Sequence, residues 1–545
     1  MGCGPEPVGR DGHLNGDNPG CIPKLSLLLH AHLPFVRHPE HADFLEERWL
    51  FEAIIECYVP LLRMLDGWER DGVVGVINLT VSPALAAMLS DALLKERFEK
   101  HLGRMETLVR QEEDRHLLQP EWARVAKHYG VRLAQVRETW TREHGNILAG
   151  WARHAQAGRL ELLTCGATHA LLPLLADTPG ALRGQIRMAV HEHRRHFSMA
   201  PRGIWLPECA YSAAIEAELF AAGLRWFVVE THGLLMAQPP SPHGVFGPVV
   251  TPSGLAAFAR DPASARQVWS RNGGYPGDPR YREFHSDLAD SAEWGYLAPY
   301  AAGTGVRVAT GLKYHRVTGG DGPKEVYDPV EASAAAREHA HHFVHERARH
   351  LRAQVRNMAR PPMLLAPYDA ELFGHWWYEG PQFLDAVVRR IDEGGEGIRL
   401  VSLGGYLGEN PVNPVCTPAA STWGESGYLA VWLDTSNAWM QRPLRWMAGR
   451  MSSLAKLEPT ARGVRLRALS QLARELMLAQ ASDWPFLIRM GTAKDYAKAR
   501  FEQHEARFRK LEGMLTGRDP WDEPALVAME QQDNLFPEID PQWWV

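Results

Sequence analysis

Residues Lys24 to Phe35 read KLSLLLHAHLPF, a short continuous apolar run that stops at polar residues and a Pro. Such a run, too short for a helix and without alternation, reads as a parallel strand buried on both faces, with His30 and His32 at its carboxyl end. The following segment, EERWLFEAIIECYVPLLRMLDGWERDG, has helical apolar spacing, and VVGVINLT is again a buried strand. Strand, helix and strand in this order predict an α/β chain with parallel strands.

From Pro83 to about Gly158 the pattern is helical and highly charged, so a helical insertion is expected at about 84–158. The strand rhythm returns at LELLTCGATHALLP, where Leu160 to Thr164 precede Cys165 and His169. It continues through RGIWLPECAY, RWFVVE, VRVATG and MLLAPYD, with IRLVSL as the last candidate. Between them, 231–300 is a long irregular stretch rich in Pro, Gly and aromatics, a length that compact domains seldom keep without a function. It is read as a candidate substrate lid, with Gln238 to Gly254 as the moving part and Phe246 as its tip; a surface connection without gating is the alternative. Glu331 to Ala359 reads as a long helix. Polar residues at successive strand ends describe a parallel barrel, incomplete or distorted, whose strand ends share one mouth. Beyond about residue 425 the strands stop, and Arg462 to Gln480 and Thr492 to Met514 are amphipathic helices. The expected organisation is a disordered tail at 1–22, a barrel at 23–420 with its insertion, and a C-terminal helical domain at 421–545.

A chain of 545 residues can bury a sizeable core and exceeds the size at which one core keeps growing. A net charge of -6, with no basic patch, excludes a nucleic-acid surface. The six cysteines form no CxxC pair, which fits a reducing cytoplasm. The first twenty residues lack the basic-then-apolar pattern of a signal peptide, and no stretch approaches the roughly 20 apolar residues that span a bilayer, so a soluble, cytoplasmic protein is expected. Many of the 19 Trp sit beside His, Asp, Gly or Pro, which suggests ring-stacking surfaces, with core packing as the alternative.

Two acids stand in Pro-bounded, aromatic surroundings just past strand ends: Glu208 in IWLPECAY and Asp369 in APYDAELFGHWW. Paired carboxyls in a partly dry site serve glycoside chemistry, one attacking the anomeric carbon while the other protonates the leaving oxygen. By spacing alone the same acids serve equally well in structural ion pairs. His30 and His32 raise the possibility of a metal hydrolase or a carbohydrate deacetylase, but alternate strand residues face opposite ways unless the strand has ended, and no HExxH set is present. No metal and no cofactor are expected. REHAHHFVHERARHL has helical spacing and reads as a solvated helix face. Glu371, two residues past Asp369, reads as structural.

Taken in order, HAHLPF, LELLTCGATHALLPLL, WLPECAY, APYDAELFGHWW and STWGESGY resemble the five motifs of glycoside hydrolase family 57, and within it those of the glucan branching enzymes. The resemblance implies a distorted (β/α)7 barrel with a helical insertion and a C-terminal α-helical domain that reaches the active site. It implies a retaining double displacement without metal, with Glu208 as nucleophile and Asp369 as general acid/base, their carboxyls about 5 to 5.5 Å apart. An α-1,4-glucan would be both donor and acceptor. The resemblance further assigns substrate contacts to His30, His32, Trp49, His169, Trp294, Gly303, His375, Trp376, Trp423, Trp432, Asp483 and Trp484. SDWPFLI, at 482–488, favours branching enzymes over the family's amylases. Two positions depart from the pattern: Ser286, where Arg is frequent, and Thr492, where Gln is frequent. The alternatives are an α-amylase or 4-α-glucanotransferase of the same family, a metal-dependent deacetylase, and a non-catalytic glucan-binding protein; oligomeric state is not indicated.

Overall fold

Lys24–Ala31 forms strand β1, and every residue in it is buried. The computed structural model describes residues 22–270, 273–301, 306–319 and 323–545. Further strands are β2 (Ile77–Val81), β3 (Leu160–Leu163), β4 (Gly203–Ile204), β5 (Trp226–Val229), β6 (Val249–Val250), β7 (Ala256–Ala259), β8 (Met363–Asp369) and β9 (Arg399–Leu400). β3, β2, β1 and β8 pair side by side and parallel, and β4, β5 and β7 do the same in a second sheet. Single parallel bridges join the two sheets, Thr164 to Ile204 on one side and Arg260 to Leu365 on the other. The result is a ring of seven parallel strands, distorted because both joins are one bridge wide. This is the expected barrel. β9 lies outside the ring, pairing only with Lys24 and Leu25 at the lower end of β1, beneath the register that β2 uses from Leu28 to Ala31.

The insertion contains helices Pro83–Ser90, Ala92–Arg115, Pro120–Arg142 and Ile147–Gln156. Ser82, Asp91 and Asn146 cap three of them, each accepting a backbone N–H of the first turn and so satisfying a donor that has no partner within its helix. After the barrel come helices Gln441–Leu457, Gly463–Ala479, Asp483–Met490, Lys494–Thr516 and Glu523–Gln532. This helical layer is stitched to the loop after β3: Ser482 N–H donates to the His169 carbonyl at 3.1 Å, and Ala170 bridges Ala481. Residues 482 and 483 are thereby brought over the barrel mouth.

Three sequence expectations are corrected. VRVATG is not a strand; the Asp287 carboxylate accepts the Thr310 and Gly311 N–H groups at 2.8 and 2.9 Å, which takes the donors a ladder would need. The stretch 231–300 is not irregular throughout, because it contains barrel strand β7, whose small residues AAFA carry little strand signal. Gln238 to Gly254 is not over the mouth. The Phe246 carbonyl accepts from the N–H of Met363 at 2.9 Å, at the opposite end of β8 from Asp369, and β6 pairs with β7. The part of 231–300 that does reach the mouth is Arg260 and helix Pro262–Trp269 with Ser270 after it.

That helix is held by Asp261, whose carboxylate caps it through Ala263 and Ser264 N–H and pairs with Arg347 at 2.8 Å, both side chains almost fully buried. Asp261→Ala leaves a buried guanidinium without its counter-charge, a change that typically costs about 3–5 kcal/mol. The expected outcome is a clearly lowered thermal midpoint by differential scanning calorimetry; an unchanged midpoint would refute this account of the ion pair.

Candidate active site

The carboxyl ends of the strands surround a cavity of about 730 Å³. β1 ends at Ala31, so His32 is already past the strand and both His30 and His32 face the cavity. Their rings stack at 5.9 Å between centroids, and His169 stacks on His32 at 3.8 Å. Glu208, Arg260, Asp369, Glu371, Trp376, Trp423, Trp432 and Asp483 complete the polar and aromatic wall, with Trp269 at its edge.

Glu208 has a left-handed backbone (φ 59°), as do Cys209 (φ 53°) and His169 (φ 58°). Non-glycine residues seldom adopt this region, and such strain persists where surrounding contacts hold it. Here the Glu208 carbonyl accepts the Trp423 N–H at 3.1 Å. Its carboxylate accepts Trp423 Nε1–H at 2.8 Å on one oxygen and Ser482 Oγ–H at 2.9 Å on the other. Burial pushes the Glu208 pKa up, while these two donors oppose the rise.

Behind Glu208 runs a relay whose direction follows from donor counting. Ser482 gives its only proton to Glu208, so its oxygen accepts from His169 Nδ1–H at 2.7 Å. His169 Nε2 then accepts from His30 Nε2–H at 2.9 Å, which leaves the buried His30 Nδ1 as a bare acceptor without a partner. Burial lowers both imidazoles well below their usual range, consistent with this neutral chain. His32 differs: burial disfavours its charge, but Asp483, 3.1 Å from Nε2, together with Glu208 and Glu371, outweighs that and raises its pKa. Asp369 is raised well above the ordinary carboxyl range by burial, then by Glu371 and Glu208.

His30, Cys165 and His169 come nearest to a metal-ligand set. The two imidazoles hydrogen-bond at 2.9 Å, closer than two nitrogens of one tetrahedral Zn²⁺, which stand about 3.3 Å apart.

Of the positions named from the sequence, His30, His32, His169, Glu208, Asp369, Trp376, Trp423, Trp432 and Asp483 line the cavity. Trp484 does not: it is fully buried, with Nε1–H bonded to the Leu478 carbonyl at 2.6 Å, and serves as core. Trp49 packs edge-on against Tyr496 outside the cavity wall, and Trp294 opens a short, partly exposed helix. His375 turns away to bond Glu56 at 2.6 Å, behind Trp376. Gly303 lies outside the described residues. Neither Ser286 nor Thr492 lines the cavity. Sequence reading missed Ser482, Arg260 and Trp269, and took Glu371 to be structural although it stands on the wall. Ser482 lies inside the quoted SDWPFLI; Arg260 could be found only by recognising AAFA as a strand.

A family model described as glycosyl hydrolase family 57 matches residues 26–411. The chain belongs to glycosyl hydrolase family 57. A second model, described as the C-terminal region of 1,4-α-glucan branching enzymes, matches residues 443–544. A 1,4-α-glucan branching enzyme of Thermococcus kodakarensis is 34% identical over 94% of this chain and 77% of its own length. A probable 1,4-α-glucan branching enzyme of Mycobacterium tuberculosis is 29% identical over 94% and 97%. Among solved structures, the family 57 branching enzyme of Pyrococcus horikoshii superposes with a TM-score of 0.86 at 32% identity, covering 96% of this chain and 97% of that one. The α-amylase AmyC of Thermotoga maritima superposes with 0.90 at 38% identity, covering 96% and 99%.

The loop that carries Trp376 onto the cavity wall turns at a glycine. Gly374 has φ 117°, and a Cβ there would collide with the Glu56 carbonyl oxygen. Gly374→Ala therefore combines backbone strain of about 1–3 kcal/mol with displacement of the loop that carries Trp376. A lower melting temperature and altered tryptophan fluorescence are expected; an unchanged spectrum and midpoint would show that the loop absorbs the methyl group.

Proposed function

We propose that this chain is a 1,4-α-glucan branching enzyme that works by a retaining double displacement, with Glu208 as nucleophile and Asp369 as general acid/base. The observation that carries the reading is the delivery of Ser482 onto Glu208 and of Asp483 onto His32 by the C-terminal helical layer, the region that matches branching enzymes. In the first step Glu208 attacks C1 of the sugar as Asp369 gives its proton to the departing O4, leaving a β-glycosyl ester on Glu208. In the second, Asp369 takes the proton of a glucan 6-hydroxyl as O6 attacks C1, and Glu208 departs as a carboxylate.

The protonation pattern suits those roles. The Trp423 and Ser482 donors favour an ionised Glu208, whereas nothing described donates to Asp369, and desolvation of its half-buried carboxyl, with Glu371 and Glu208 beside it, favours the acid form. Trp376, stacked on Phe284 at 4.4 Å and 55% exposed, offers a flat platform for a sugar face beside Asp369. The four described cysteines are buried and free, and no helix among the described residues is long and apolar enough to cross a membrane. Both suit work on a glycogen-like glucan in a reducing cytoplasm.

A second reading, α-amylase, is favoured by the likeness to AmyC. The two reactions share the first step and differ in whether water or a glucan hydroxyl meets the glycosyl-enzyme. Incubation with amylose is expected to produce α-1,6 linkages, seen as a new anomeric proton signal, with few new reducing ends; reducing ends alone would make the chain an amylase. Glu208→Gln should lower turnover on the order of 10³-fold or more while glucan binding persists, and retained turnover would remove Glu208 from the nucleophile's role.

Ser482→Ala tests the relay. Glu208 acts ionised, so activity is lost as pH falls through its pKa. Removing a donor to the carboxylate raises that pKa, so the acid limb of the kcat/KM profile is expected to move to higher pH. An unmoved acid limb would show that Ser482 does not stabilise the charge on Glu208.

A further inference from the structure

Asp369 ends β8, and Glu371 follows in the short helical turn Ala370–Leu372. Both line the cavity with Glu208. One Glu371 oxygen accepts from Tyr58 Oη–H at 2.5 Å and from the His32 backbone N–H at 3.2 Å, and Cys57 Sγ–H meets the Glu371 carbonyl at 3.6 Å. The residue is therefore fastened by both side chain and backbone, with its carboxyl beside Asp369.

The fastening comes from an unusual source. Tyr58 closes a π-helical turn, Ile54–Tyr58, inserted between helices Glu47–Ala53 and Val59–Asp71. Such turns displace the normal helical register and recur at functional sites. Here the turn directs Glu56 to His375 and Arg282, at 2.6 and 3.1 Å, and Tyr58 to Glu371. Most of what it holds lies on the chain that runs on from Asp369.

We propose that Glu371 is a positioning residue of the reaction, pinned by Tyr58 and the His32 amide so that its negative charge keeps Asp369 in the acid form that protonates the leaving oxygen. The proposal rests on the assignment of Asp369 as acid/base given above.

Several groups face this pair. β1 supplies His30 and the loop after it His32, the π-turn Cys57 and Tyr58, the turn after β4 Glu208, the end of β7 Arg260, and helix Pro262–Trp269 Arg266 on the same cavity wall; Asp483 acts through His32. Arg260, the arginine that opposes the rise at Asp369, is engaged by Glu230 at 3.0 Å. Glu371 and Glu208 thus outweigh Arg260 at Asp369, and a like charge disfavours ionisation. Burial raises the Glu371 pKa to about 7, with Tyr58 opposing the rise. Removing the Glu371 charge should lower the Asp369 pKa, so the acid form is lost at lower pH and the alkaline limb of activity moves down.

The test is the pH profile of kcat/KM on amylose for Glu371→Gln and Tyr58→Phe. Glu371→Gln keeps the volume and an acceptor for Tyr58 while removing the charge. Its activity is expected to fall about tenfold more at about pH 8 than at about pH 6. Tyr58→Phe removes a donor that favours the Glu371 carboxylate, so Glu371 stays protonated to higher pH; the alkaline limb should move the same way by a smaller amount. A loss uniform across pH, or no loss, would overturn the proposal, and Tyr58→Phe carries the test should Glu371→Gln not fold. Asp369→Asn separates the two readings. Full turnover in Asp369→Asn overturns the acid/base assignment, whereas an inactive Asp369→Asn beside unmoved alkaline limbs overturns the role of Glu371 alone.

Discussion

The structure depends on supplying hydrogen bonds to the Glu208 carboxyl in a place that disfavours charge. Its carboxyl is buried on a strained turn, and two donors from distant parts of the chain, Trp423 and Ser482, supply the hydrogen bonds that water would otherwise give. One donor comes from the segment that leaves the barrel and the other from the C-terminal helical layer. The barrel by itself therefore holds the carboxyl without satisfying it.

The opposite wall solves the opposite problem. Asp369 stands at a strand end with a second carboxyl fixed close by and with Arg260 already engaged by Glu230. Burial raises the pKa of both acids in the cavity, but donors oppose the rise at Glu208 whereas like charge adds to it at Asp369. The stacked Trp376 and Phe284 add apolar surface beside Asp369, which strengthens the electrostatic contrast by limiting water.

What could be read from the sequence follows from how much signal each element carries. β1, β2 and β8 are continuous apolar runs and were legible as buried strands. β4 is two residues long and β7 is built from AAFA, so neither has the length or branching that marks a strand. VRVATG has the right composition, but Asp287 takes its backbone donors, a tertiary event that local pattern does not contain. Glu208 and Asp369 were legible because strand ends, prolines and aromatics coincide there. Trp484 was not separable from Trp423 by any local feature: one is packed in the helical core and the other reaches a carboxylate. Ser482 carries no signal by residue type, and its importance comes only from where the C-terminal layer sets it.

The two one-bridge joins of the barrel have a mechanical consequence. His30, His32, His169 and Asp369 belong to the sheet that contains β1 and β8, or to its loops, while Glu208 and Arg260 belong to the other sheet. Glu208 and Asp369 thus sit on different plates that meet along two thin seams. Ser482 touches His169 from one plate and Glu208 from the other, and so works as a clasp across a seam. Where the Glu208 carboxyl stands relative to the sheet that carries Asp369 thus depends on a side-chain clasp as well as on the few backbone bonds that cross the seams.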